Sequence, residues 1–176
     1  MALKGLIYPA IFIFISMLFL FLRLLPIDLI ARNWAFPDFL ICFMLAWSMR
    51  KPEAIPAILI ALIFLLEDFL FQRPPGLYAA LALLACEWSK RQALSAEEFP
   101  FLIEWLVAII SIFALFVSYR LLLYLSFTAL PPLRLGLFEF FGTIISYPAA
   151  VGICRYILRM RSPRSNSLDK IKKVRW

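Results

Sequence analysis

Ionisable residues inside apolar runs are where this chain could do chemistry, because a charge at membrane depth is costly and usually faces a protein interior. Asp38, Glu67 and Asp68 form one such group, and Arg120 with Glu139 a second. Carboxylates so placed can bind cations, pass protons or line a polar pocket; set against an arginine, they can instead pin two helices together. The chain has no histidine, which removes the commonest general base and metal ligand and excludes Ser-His-Asp, Cys-His and histidine-held metal or haem chemistry. Cys42, Cys86 and Cys154 are far apart, form no CxxC pair and read as small buried hydrophobes. Asp38 and Asp68 are accompanied by neither a Gly-x-Gly-Asp nor an Asp-x-x-Asp-Gly pattern, so intramembrane proteolysis and lipid phosphotransfer lack a motif. No catalytic, cofactor-binding or metal-binding residue is expected.

The elements that position these residues follow from composition. Of 176 residues, 64% are hydrophobic and 16% charged, with a mean hydropathy of +0.91, whereas a soluble domain carries about 25% charged residues. A soluble globular domain is excluded, and an all-α integral membrane protein of six transmembrane helices is expected. Residues 1–160 form one polytopic helical domain and 161–176 a basic cytoplasmic tail. Gly5 to Leu22 reads as a first, retained span, followed by a loop from Pro26 to Phe36. A second helix starts near Phe36, with Pro37 in its first turn and Asp38 at the positive end of its dipole. It is too short to span unless its buried part begins nearer Leu29 or neighbours shield it, and Arg50-Lys51-Pro52-Glu53 ends it in a charged turn. The third runs from Ala54 to Gln72, and Arg73-Pro74-Pro75-Gly76 breaks it. A short fourth helix, Leu77 to Trp88, leads into a polar connector, Ser89 to Glu98. The fifth covers Phe99 to Phe127, and the sixth Leu135 to about Leu158, with a kink at Pro148.

Depth assigns partners. Arg120 and Glu139 are symmetric about the Leu130-Pro131 turn, so an intramembrane ion pair between them is expected to pin helices five and six. Asp38, Glu67 and Asp68 lie toward the outer ends of their helices. In one reading Asp38 is a helix-start residue and Asp68 the partner of Arg73; in the other the group opens a polar pocket outward between helices two, three and four. Glu87 and Glu104 lie at the inner ends, beside Lys90 and Arg91. Small residues at Gly142, Ser146 and Ala150, and a similar stripe from Gly76 through Ala80 to Leu84, predict close helix packing. With six spans and cytoplasmic termini, thirteen basic residues fall inside and four outside, namely Arg23, Arg32, Arg73 and Arg134. The net +7 lies wholly between Arg155 and Trp176, where eight basic residues face the single acid Asp169. It orients the chain and suits a contact with anionic lipid through Leu168, Ile171 and Val174; it does not imply nucleic acid.

The order Pro37-Asp38, an apolar helix, Arg50-Lys51-Pro52-Glu53, a helix ending in Asp68, then Pro75-Gly76-Leu77 and an alanine-rich helix resembles the signature of the bacterial rod shape-determining protein MreD family. The resemblance is sharpest from Pro37 to about Trp88. The chain departs from the family in reading Pro74-Pro75-Gly76 where Pro-Leu-Gly is usual, and in having no glycine in the third helix. The resemblance implies a nonenzymatic scaffold of the inner-membrane complex that builds side-wall peptidoglycan. It implies MreC as direct partner, and through it MreB, a RodA-type glycosyltransferase and a class B penicillin-binding protein. Pro37, Asp38, Arg50, Pro52, Glu53, Asp68, Pro75 and Gly76 would then shape helices two to four for a partner. The family bundle is similar in outline to the substrate-capture subunits of vitamin transporters, so the alternative is a small-molecule-binding or transport subunit with an outward-facing polar pocket.

Overall fold

A computed structural model of the chain describes residues 2–25, 36–52, 55–95, 100–128 and 130–157. Among these are six α-helices and no strand: α1 Ala2–Leu24, α2 Phe39–Arg50, α3 Ala57–Leu70, α4 Leu77–Ser95, α5 Phe101–Leu125 and α6 Leu133–Gly152. A π-helical turn, Ile153–Ile157, continues α6. The loop around Arg32, Glu53 of the charged turn, and the basic tail lie outside the described residues. The segments Phe101–Leu125 and Leu133–Tyr156 are long and apolar enough to cross a membrane.

α2 is the centre of the bundle. Eleven of its 12 residues are buried, and it packs against α1, α4, α5 and α6. At about 1.5 Å per residue a helix of 12 residues measures roughly 18 Å, well short of the ~30 Å hydrocarbon core. Its neighbours wall it off. Phe12 of α1 packs on Phe43 and Trp47, the last pair meeting edge to face at a centroid separation of 5.1 Å. Phe64 of α3 meets Tyr78 of α4 in the same way. This apolar middle separates a polar layer at each end of the bundle.

The helix boundaries depart from sequence expectation in physically clear ways. Pro37 lies just before α2 rather than in its first turn, and Asp38 is the N-cap, its Oδ1 accepting the Ile41 N–H at 3.2 Å. α4 does not stop at Trp88. It runs on to Ser95 because its polar residues find buried partners: Ser89 bonds Ser111 of α5 at 2.9 Å, and Lys90 Nζ donates to Glu87 Oε1 and the Ile55 carbonyl. α3 and α5 both end in a left-handed residue, Gln72 (φ 52°) and Phe127 (φ 51°). In each, the two following N–H groups return to the last turn, Gln72 to Phe69 and Arg73 to Asp68, Phe127 to Tyr124 and Thr128 to Leu123. That double closure satisfies the terminal carbonyls without a glycine. Pro148, inside α6, cannot donate to the carbonyl of Ile144 four residues back, and Trp105 Nε1 of α5 approaches that carbonyl at 3.4 Å.

The surface is inverted relative to a soluble protein. Phe14, Leu102 and Ile145 are each 70% or more exposed, whereas Asp38, Arg50, Glu67, Asp68, Lys90 and Glu104 are buried.

Candidate functional site

Four helices deliver charged side chains to one end of the bundle, and the last turn of α1 supplies the centre. Arg23 Nη1 lies 2.5 Å from Glu67 Oε1 and 3.0 Å from Asp38 Oδ2, and its Nη2 lies 2.7 Å from Glu139 Oε1. One guanidinium therefore holds carboxylates from α2, α3 and α6, a use its planar fork of five donors permits and an ammonium would not. Asp38 also accepts the Tyr78 hydroxyl at 2.7 Å, and its own N–H donates to Thr143 Oγ1 at 3.0 Å. Thr143 in turn donates to the Glu139 carbonyl, and the Cys42 thiol to the Thr143 carbonyl. α2, α4 and α6 are thus joined to the arginine through Asp38 and its neighbours.

Asp68 has a separate task. Its Oδ2 accepts the N–H groups of Gly76 at 2.9 Å and Ala79 at 3.2 Å. A carboxylate from the end of α3 therefore caps the start of α4, where unpaired N–H groups and the helix dipole favour negative charge. Gly76 takes φ +84°, which glycine adopts without strain and which turns its N–H toward Asp68. Pro75, beside it, is exposed. The expectation that Asp68 pairs with Arg73 is corrected: the Arg73 guanidinium approaches Glu67 at 3.6 Å and lies over the Tyr78 ring at 4.6 Å, because the turn carries it past Asp68 toward α4.

The expected Arg120–Glu139 ion pair is also corrected. Equal depth does not give equal azimuth: Glu139 turns inward to Arg23, while Arg120 crosses to the start of α6 and donates to the Pro131 carbonyl at 3.1 Å. Arg120 does pin the α5–α6 hairpin, but through a backbone oxygen, and it packs so closely that a methyl group on Gly136 would stand 2.9 Å from its Nη1.

A cavity of about 70 Å³ opens beside the network. The polar pocket expected between helices two, three and four lies instead between α5 and α6, floored by α2 and α4. Asp38, Arg73, Tyr78, Tyr119, Glu139 and Thr143 give it polar groups, and Ile112, Leu115, Phe116 and Phe140 apolar walls. Glu67 and Asp68 are not among its lining residues.

The other end of the bundle holds a smaller polar layer. Arg50, at the end of α2, donates through Nη2 to Glu104 Oε2 of α5 at 2.7 Å, and the Tyr147 hydroxyl of α6 approaches the other oxygen at 3.4 Å. Arg50 thus reaches inward to α5, and Pro52 sits half-buried just beyond it. Gly142 packs where a methyl group would stand 3.1 Å from Pro37 Cγ, and Ala150 is buried, so that stripe serves internal packing. Ala80 and Leu84 of α4 face outward.

No group of three or more candidate metal ligands occurs among the described residues. No family model, curated protein or solved structure matches the chain. Sequence reasoning found the acidic members of the network but missed Arg23, Tyr78 and Thr143. Arg23 enters the sequence reading only in the outer charge count, although as the first charge after the uncharged run from Gly5 to Leu22 it marks a cation at the same end as Asp38 and Asp68.

Proposed function

We propose that this protein is a nonenzymatic scaffold of the cell-wall elongation complex, a multi-pass protein of the bacterial cytoplasmic membrane with both termini cytoplasmic. Its six helices are embedded, MreC is its direct partner, and MreB, the RodA-type glycosyltransferase and the class B penicillin-binding protein are reached through that contact. The membrane part rests on the inverted surface: large apolar side chains outward and ion pairs inward are the distribution that lipid selects. The scaffold part rests on the sequence resemblance and on one observation. The motif residues Asp38, Asp68 and Gly76 are engaged in holding helix to helix, so their role is to fix the shape of α2 to α4 rather than to meet a reacting group. The small-molecule reading needs a pocket, and the cavity of about 70 Å³ is far below the ~300–1,000 Å³ of sites for drug-sized ligands.

The test is depletion in a rod-shaped host. Cells round up and lose side-wall synthesis, and the tagged protein co-purifies with MreC. A depleted strain that keeps its rod shape and normal side-wall incorporation overturns the proposal. For topology, a reporter fused after Trp176 is expected to be active only in the cytoplasm.

A further inference from the structure

Two charged groups in the α5–α6 cavity have bonding capacity left over. Arg73 lies over Tyr78 at 4.6 Å and Phe71 at 5.6 Å, which fixes its plane. Among the described residues its only carboxylate neighbour within ion-pair range is Glu67, 3.6 Å from Nη1, an atom that is itself fully buried. None of the hydrogen bonds among the described residues uses the Arg73 side chain, and Arg73 lines the cavity, so the open edge of this guanidinium is preorganised for an oxygen that the described residues do not supply. Glu139 is complementary. Its Oε1 is taken by Arg23, its Oε2 takes part in none of the hydrogen bonds among the described residues, and its side chain remains 35% exposed. Arg73 and Glu139 line the same cavity.

Charge decides what such a cavity accepts. Arg73, Asp38 and Glu139 all line the cavity. A simple anion would satisfy Arg73 but is repelled by the two carboxylates; a simple cation would suit Glu139 but leaves Arg73 without an acceptor. A group carrying an oxyanion and an ammonium satisfies both. The volume, about 70 Å³, is room for roughly five to seven waters at about 10–15 Å³ each, which fits a small headgroup and no more. Leu115, Phe116 and Phe140 supply an apolar wall for the methylenes between the two charges.

The geometry points to a binding site for a small ammonium–oxyanion zwitterion, its oxyanion on Arg73 and its ammonium on Glu139. An ethanolamine phospholipid and a free zwitterion such as glycerophosphoethanolamine share this chemistry. The site rests on the cavity alone, so it stands or falls independently of the scaffold role.

The test is thermal melting of the full chain in detergent, titrated with dioleoyl-phosphatidylethanolamine, the phosphatidylcholine and phosphatidylglycerol analogues, or glycerophosphoethanolamine. The ethanolamine compounds should raise the melting temperature saturably. The choline lipid, whose quaternary ammonium has no N–H, and the glycerol lipid, which has no ammonium, should do so at least tenfold more weakly. A response to the lipid alone identifies the source as membrane, and a response to the soluble ester identifies a free ligand. Arg73→Gln and Glu139→Gln should each weaken half-saturation at least tenfold. Because Glu139 also holds Arg23, Leu115→Phe is the control: it fills the cleft without touching a charge, and should abolish the response while the protein still melts cooperatively. Equal shifts with choline and ethanolamine lipids, no shift with any probe, or an unchanged response in folded Leu115→Phe overturns the site and leaves the cavity to water.

Discussion

Replacing Arg23 by Gln removes the cation shared by α2, α3 and α6. Arg23 is 18% exposed and contacts Asp38, Glu67 and Glu139 at 3.0, 2.5 and 2.7 Å. Removing one partner of a buried ion pair costs about 3–5 kcal/mol, because the remaining charge is left uncompensated. Three orphaned carboxylates do not triple that figure. Tyr78 still donates to Asp38, Arg73 still lies 3.6 Å from Glu67, and Glu139 is 35% exposed and open to water. The loss expected for Arg23→Gln therefore stays at about 3–5 kcal/mol, which at roughly 2–4 °C per kcal/mol for a chain of this size lowers the melting temperature by about 6–20 °C. Fluorescence-detected size exclusion of heated, detergent-solubilised protein measures it. Adding Glu67→Gln to Arg23→Gln removes one uncompensated charge and should recover part of the loss, a coupling that the double-mutant cycle isolates. Arg23→Gln melting within 2 °C of the parent, or a second substitution that deepens the loss, would refute the shared-cation argument.

Other substitutions separate the remaining contacts. Glu139→Arg should be poorly expressed and should not be rescued by Arg120→Glu, since the two side chains do not meet; recovery of membrane-inserted protein in the double variant would restore the direct pair. At the other end, Arg50→Met or Glu104→Leu alone should each lower stability by about 3–5 kcal/mol, whereas the two together should recover part of that loss, since no buried charge of the pair is then left uncompensated; thermal melting reads both. Asp68→Ala should cost about 1–2 kcal/mol through loss of the cap on α4, and faster amide hydrogen exchange confined to the first turn of that helix should accompany it.

How much of this could be read from the sequence depends on how local each cause is. Asp38 at a helix start and the Pro74-Pro75-Gly76 break follow from residues close together in the chain, and the structure agrees with them; the shortness of α2 is legible too, but that neighbours shield it is shown only by the packing. The partners of Arg23 do not, because Glu67 and Glu139 lie 44 and 116 residues away and depth alone leaves the direction of a side chain open. That same ambiguity produced the Arg120–Glu139 expectation. The polar run after Trp88 resembled a connector because nothing local shows that Ser89 will meet Ser111 or that Lys90 will reach Ile55. The ends of α3 and α5 carried no glycine signal, since Gln72 and Phe127 take the left-handed conformation that glycine usually fills.

The burial of α2 sets an order of assembly. This helix is too short to cross the hydrocarbon alone and becomes stable only when later elements cover it. During synthesis Arg23, Asp38 and Glu67 emerge within the first three helices, so their charges can neutralise one another early, while Glu139 and the wall formed by α6 arrive last. A chain stopped before Leu133 would present its most deeply buried helix, and half of a charge network, to whatever protein is nearest. Quality-control proteases would meet an unsealed bundle, and the sixth helix is the element that closes it.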